Sequence, residues 1–323
     1  MTLREEILGI RTTAGFESVA RKVLSYQLEH LSPFKRYVDL LGLEADYPHH
    51  IPFFPISFFK ELDIIASGMQ AEKVFSSSRT TGQTPSRHPV ADLSLYRESL
   101  LAGFEIAYGS PEHYTMLALL PSYLERDDAS LVYMMKVLMD HSSHPLSGFF
   151  MNDLDALHER IMFLLEHDRR FILIGVPFAL LDLLDKHTYR FDKNILIETG
   201  GMKGRRREMI RAELHQWLCA GFGLDSVHSE YGMTELLSQA WSIGKGIYQS
   251  PPWMKVTAYD INDPQQPLQP GESGRLNIID LANLHSCSFI ATDDVGRVRS
   301  DGTFEVLGRV DNSDVRGCNL LAI

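Results

Sequence analysis

"KNILIETGG", residues 193–201, sets three consecutive aliphatic residues, Ile195, Leu196 and Ile197, ahead of a polar end that closes on Gly200 and Gly201. A run this short and this apolar, opened by a charge and closed by a glycine turn, reads as a strand buried on both faces. Working outward, "RRFILIGVP" (169–177) and "YTMLALLP" (114–121) repeat the pattern, and each precedes a polar turn and a stretch of helical periodicity. Short apolar strands alternating with helices predict a largely parallel sheet flanked by helices, the α/β class.

The flanks differ in texture. Over residues 1–45, Ile7, Ile10, Phe16, Val19, Val23, Leu24 and Leu28 recur at three- and four-residue steps, which predicts two helices. "DYPHHIPFFPISFFK" (46–60) interrupts with three prolines and reads as a loop leading into a docking segment. After residue 250, "PPWMKVTAYD", "SGRLNIIDLA", "SFIATDD" and "GRVRSDGTFEVLGRVD" are short strands parted by Gly, Pro and Asp, with "SDG" an expected hairpin turn. The predicted organisation is an α/β domain over 1–250 and a β-rich subdomain over 251–323.

Composition narrows the function. A net charge of -11, from 42 acidic and 31 basic side chains, gives no general attraction to nucleic acid or anionic membrane. No apolar run of about 18 residues marks a membrane span, and the start lacks the pattern of a signal peptide, so a cytoplasmic protein is expected. Cys219, Cys287 and Cys318 stand far apart and form no CxxC pair, which fits a reducing compartment and argues against a disulfide framework or a zinc site.

Candidate chemistry begins at "EKVFSSSRTTGQTPSRHPV" (72–90), where Ser77, Ser78, Thr80, Thr81 and Gly82 follow a probable strand. Such clusters are usually plain surface loops. They also supply backbone N–H groups and hydroxyls able to wrap an anion such as a triphosphate. In "HSEYGMTELLSQA" (228–240), Tyr231, Thr234 and Glu235 offer an aromatic face, a hydroxyl and a carboxylate for a base, a phosphate and Mg2+. Asp293 and Asp294 in "ATDDVG" offer carboxylates for ribose hydroxyls, and Arg309 in "LGRVD" a fixed cation. Together these are the parts of an ATP site.

"SSRTTGQTPSRH", "ETGG", "YGMTE", "TDDVGRV" and "GRVDNSDVRG" occur in the order of the core motifs of the adenylate-forming superfamily, which the chain resembles. More closely, "IPFFPISFFK", "TGGMKG", "SPPWM", "FIATDDVG" and the terminal "RGCNL" look like the acyl-protein synthetase family, known from the fatty acid reductase complex of bacterial bioluminescence. The likeness runs from about residue 50 to the end. It implies a mostly parallel α/β adenylating domain. The implied activity makes an acyl-AMP from a fatty acid and ATP, then moves the acyl group to an enzyme cysteine for delivery to an acyl-CoA reductase-type partner protein.

Carried onto this sequence, the resemblance places Ser77, Ser78, Thr80, Thr81 and Gly82 around the β- and γ-phosphates, and makes Tyr231 the adenine platform opposite Gly200 and Gly201. It implies that Thr234 meets the α-phosphate, that Glu235 ligates Mg2+, and that Asp294 grips the ribose beside Arg309. Arg79 stands where the superfamily's phosphate loop usually has glycine. The sequence stops at Ile323, without the small mobile domain whose lysine usually faces the transferring carboxylate, so Lys203, Arg87 and His88 become candidate cations.

Cys318 is the candidate acyl carrier: Arg316 lies two residues away, Gly317 gives slack, and the family's acylated cysteine sits in a similar terminal step. Val176, Phe178 and Met233 are candidate linings for an acyl slot, and equally candidates for ordinary core. Two rival readings accompany this one: an acyl- or aryl-CoA ligase similar to phenylacetate-CoA ligase, and a non-catalytic scaffold subunit of a reductase complex.

Overall fold

The structure, a computed structural model, describes residues 1–77, 84–121, 128–201, 205–207 and 209–310. It opens with helices α1 (Leu3–Leu8), α2 (Thr13–His30) and α3 (Ser32–Leu41). Three helices thus form where the periodicity predicted two. The apolar steps run on through the breaks, but capping chemistry divides them. Thr12 takes the Gly15 N–H on its hydroxyl at 3.1 Å and starts α2 afresh. Leu31 leaves helical geometry at φ -109 and ψ 85, and a proline in the first turn then opens α3.

Strand β1 (Phe54–Pro55) runs into a single 3-10 turn, Ile56–Lys60, followed by the hairpin strands β2 (Lys73–Ser76) and β3 (Arg87–Val90). Next comes the alternation that the apolar bursts predicted: α4 (Leu93–Tyr108), β4 (Thr115–Leu119), α5 (Ser130–Ser142), β5 (Gly148–Phe150), α6 (Leu154–Glu166), β6 (Phe171–Gly175), α7 (Pro177–Leu184), β7 (Ile195–Thr199), α8 (Arg211–Phe222), β8 (His228–Tyr231) and β9 (Ala240–Ser242). These strands make one sheet in the order β5-β4-β6-β7-β8-β9, parallel throughout except where β9 returns against β8. Every residue of β4 and β6 is buried, as an uninterrupted apolar run between helices requires.

Strands β10 (Met254–Tyr259), β11 (Ser273–Asp280), β12 (Phe289–Val298) and β13 (Phe304–Arg309) form a second sheet with antiparallel neighbours. The β12–β13 hairpin turns through Gly302 at φ +84, within the predicted "SDG" step. β1 joins this sheet from far upstream, parallel to β12 with Phe54 beside Ile290 and Pro55 beside Ala291. The proline-rich segment therefore enters the sheet and packs the following turn against β12.

Buried polar bonds tie the sheets and helices into one frame. Trp253 Nε1 donates to Ser99 Oγ on α4 at 2.9 Å and to Ser238 Oγ at 3.1 Å. Gln27 of α2, fully buried, donates to the Asn283 and Leu284 carbonyls at 3.0 and 3.1 Å. Among the described residues no helix is long and apolar enough to cross a membrane.

Candidate adenylation site

The parallel strands β7 and β8 end side by side, with Thr199 in register with Glu230. Gly200 therefore leaves β7 beside Tyr231, the last residue of β8, at the carboxyl end of the strands, where open α/β sheets bind ligands. Gly200 sits at φ +77 and Gly201 has open space where a Cβ would stand, so the turn admits close approach of another group. Tyr231 is 7% exposed, its ring edge-on to Phe304 with centroids 5.3 Å apart and tilted against Tyr248 at 5.7 Å. Its hydroxyl donates to Asp294 Oδ2 at 2.8 Å. Burial, and then the Asp294 charge, push the Tyr231 phenol well above its ordinary range, so it remains a donor.

Asp294 and Arg309 face each other across the β12–β13 ladder, and Arg309 Nε donates to Asp294 Oδ1 at 2.8 Å. Asp294 is buried, whereas the Arg309 side chain is three-quarters exposed and presents the rest of its guanidinium to solvent. Among the described residues each Asp294 oxygen has one partner and keeps a lone pair for a hydroxyl. A vicinal diol such as ribose fits that pair.

The loop from Gly232 to Gln239 carries Thr234 and Glu235 and is clamped from three directions. Asp280, the last residue of β11, takes the Leu237 and Ser238 N–H groups on one oxygen at 2.9 Å each and the Ser238 hydroxyl on the other at 2.6 Å. Asn283 donates to the Glu235 carbonyl at 2.8 Å. His88 of β3, wholly buried, bonds through Nδ1 to the Thr234 carbonyl at 2.8 Å. A carbonyl only accepts, so the proton sits on Nδ1. Burial lowers the His88 pKa to about 4, which makes the ring a neutral positioning group and removes it from the candidate cations.

Glu235 is 6% exposed, and burial raises its carboxyl pKa against the opposing pull of the Ser86 hydroxyl and of Arg309 and Lys60. Ser86 also closes the hairpin: its N–H donates to Ser77 Oγ at 2.9 Å, and its carbonyl accepts the Ser77 N–H at 3.0 Å. Ser77 and Ser86 bracket the hydroxyl-rich stretch 78–83 and tie its base to the Glu235 carboxylate. Ser78, Thr80, Thr81 and Gly82 lie outside the described residues, as do Lys203 and Cys318.

A single buried carboxylate beside a phosphate-binding candidate suits Mg2+, which is commonly held by one or two carboxylates with phosphates and waters completing its shell. A divalent ion there would also offset the burial that raises the Glu235 pKa. Among the described residues no group of three or more His, Cys, Asp or Glu forms a dedicated protein cage.

The remaining candidates separate. Arg87 pairs with Asp63 at 3.2 Å on the surface. Val176 and Phe178 are buried at the start of α7, and Arg205 stands over the Phe178 ring at 5.5 Å, while Met233 is half-buried. Cys287 is fully buried, donates to the Phe289 carbonyl at 3.4 Å and has its thiol pushed up to about 12 by burial. Cys219 is half-buried, and burial raises its thiol as well. Sequence reasoning missed the clamps Asp280 and Asn283. Their only signal is a carboxylate and two amides, Asn277 being the second, in the mostly apolar "LNIIDLANL", which buried polar partners explain after the fact.

The fold is that of the adenylate-forming ligases. It matches a 2-hydroxyisobutyryl-CoA ligase in the postadenylation state with R3-HIB-AMP, at a TM-score of 0.67 and 12% identity over 93% of this chain and 68% of that one. ATP-bound MatB from Rhodopseudomonas palustris superposes at a TM-score of 0.52 and 18% identity over 73% of this chain; the chain spans about half, 47%, of MatB's length. Within that fold the chain belongs to the family of acyl-protein synthetase, LuxE, whose model matches residues 122–322. The long-chain-fatty-acid–luciferin-component ligase of Vibrio harveyi is 24% identical over 320 residues, covering 91% of this chain and 84% of the relative.

Proposed function

We propose that this protein activates a fatty acid with ATP and Mg2+ to an acyl-AMP and then carries the acyl group as a thioester on Cys318 for delivery to a reductase. The carrying observation is the clasp in which Ser86 bonds both Ser77 and Glu235, because it supports bringing the hydroxyl-rich phosphate-loop candidate against the carboxylate that suits the metal. The family and the fatty acid ligase name of the Vibrio harveyi relative support the substrate class.

In this reading a fatty carboxylate oxygen attacks the α-phosphorus, the bond to the β-phosphate oxygen breaks, and pyrophosphate leaves. Glu235 would hold Mg2+, which would supply neutralisation of the charge on the leaving group. Tyr231 and Gly200 frame the base, Asp294 accepts the ribose hydroxyls, and Arg309 holds Asp294 in place. Thr234, with its carbonyl fixed by His88, presents its hydroxyl to the α-phosphate. A Cys318 thiolate then attacks the acyl carbonyl and expels AMP. Cys318 is favoured because both other thiols are disfavoured as anions by burial.

Fatty-acid-dependent exchange of labelled pyrophosphate into ATP tests the first half-reaction. Exchange with long-chain acids is expected, and its absence with every acid tried removes the adenylation reading and leaves the scaffold reading. Acyl-CoA formation at a comparable rate on addition of CoA replaces the protein thioester with the CoA ligase reading.

A further inference from the structure

Adenylation presses a carboxylate anion onto a phosphate anion, so the step needs a cation at the point of contact. Around the Thr234–Glu235 corner the described cations can be taken in turn. Arg309 is engaged with Asp294. Arg87 is paired with Asp63, and His88 is neutral with its Nδ1 proton spent on the Thr234 carbonyl. Arg205 stands over Phe178, and Arg206 is held by Asp182 and Asp185 on and just after α7. Lys60 remains.

Its position follows from the strand before it. β1 lies parallel to β12 at Ile290 and Ala291, and the 3-10 turn that ends in Lys60 packs against β12 just beyond that pairing. Phe59 is fully buried and packs edge-on against His88 with ring centroids 5.5 Å apart, and His88 in turn holds Thr234. Phe59 thereby anchors the turn over the corner and leaves the next residue, Lys60, on its exposed side. Among the described residues Lys60 forms no ion pair, and it is exposed beside the Phe59 that packs on His88. Resting on the adenylation reading above, we propose that the Lys60 ammonium is the catalytic cation that meets the attacking carboxylate and the α-phosphate.

The test is the kinetics of pyrophosphate exchange in Lys60→Met and Lys60→Arg, beside the wild-type chain with the same fatty acid. A cation used in the transition state should cost Lys60→Met about a hundredfold in kcat while the KM for ATP stays within a few-fold, and Lys60→Arg should recover part of the loss. Because Lys60 is exposed, both variants should melt with the wild type, which a thermal scan verifies. Wild-type kcat in Lys60→Met overturns the assignment. So does a rise in KM alone, which marks a group that binds ATP without favouring the transition state. Absence of exchange in the wild-type chain brings down the adenylation reading and this inference with it, an outcome distinct from a wild type that exchanges and a variant that matches it.

Discussion

The hydroxyl of Tyr231, at the end of the parallel sheet, donates to Asp294 in the antiparallel sheet at 2.8 Å. The two residues are 63 positions apart in sequence, and their bond closes the seam between the sheets at the mouth of the candidate site. Tyr231→Phe keeps the ring against Phe304 and Tyr248 and removes only this donor. Hydrogen bonds to charged groups are worth about 1.5–3 kcal/mol, so the variant should unfold at lower urea by that margin. An unchanged midpoint means that the bond is not a structural tie.

Asp280 collects four donors, the N–H groups of Leu237, Ser238 and Ala282 and the Ser238 hydroxyl. Removing the carboxylate with Asp280→Ala leaves these donors buried with no replacement acceptor, which should cost about 3–5 kcal/mol in urea unfolding. Pyrophosphate exchange should fall too, since the same clamp orients Thr234 and Glu235. Loss of stability without any loss of exchange separates the clamp from the chemistry.

How far the sequence carries differs between these parts. The parallel sheet was legible because β4, β6 and β7 are apolar runs with glycine or proline punctuation, a local signal. Tyr231, Asp294 and Arg309 were legible as motif members, and the fold brings those three together. Asp280, Asn283 and His88 were not legible as clamps, because a buried polar side chain is defined by the carbonyls and amides it meets, and those come from distant segments. Lys60 was hidden for the same reason: its neighbourhood depends on two β1–β12 backbone pairings that no local pattern announces. The extra break in the N-terminal helices was hidden in another way, since a threonine cap and a proline act on the backbone without disturbing the apolar period.

Glu230 makes a prediction in pH. Burial, with the Glu198 charge adding to it and the 2.5 Å bond from Thr199 Oγ1 opposing it, raises the Glu230 carboxyl pKa from 4.5 to about 7. Between those values the unfolded chain has lost this proton while the folded chain still holds it, so stability falls as pH rises through the window. The fall amounts to about 3 kcal/mol and is complete above the folded pKa. Glu230→Gln keeps an acceptor for Thr199 and cannot ionise. Relative to wild type it should gain stability steadily from pH 4.5 to pH 7 and hold that gain beyond. A difference between the two proteins that does not change with pH contradicts a protonated Glu230.

The last prediction concerns the thiols. Cys287 is fully buried with its thiol pushed up to about 12, and Cys219 is half-buried and raised as well, so neither supplies much thiolate near neutral pH. A thiolate is what attacks an acyl-AMP. Incubation with labelled fatty acid, ATP and Mg2+ should therefore leave one label per chain that neutral hydroxylamine removes, as a thioester and not an oxygen ester would behave. Cys318→Ser should lose the label and still exchange pyrophosphate, because adenylation precedes the attack and a serine hydroxyl stays un-ionised at that pH. Cys219→Ser and Cys287→Ser should keep it. In the native wild type a thiol reagent should leave Cys287 unmodified until denaturant is added, which tests the burial independently of turnover. Full labelling of Cys318→Ser, with the label lost from Cys219→Ser instead, moves the carrier to the half-buried thiol of α8 and requires that helix to open for each transfer.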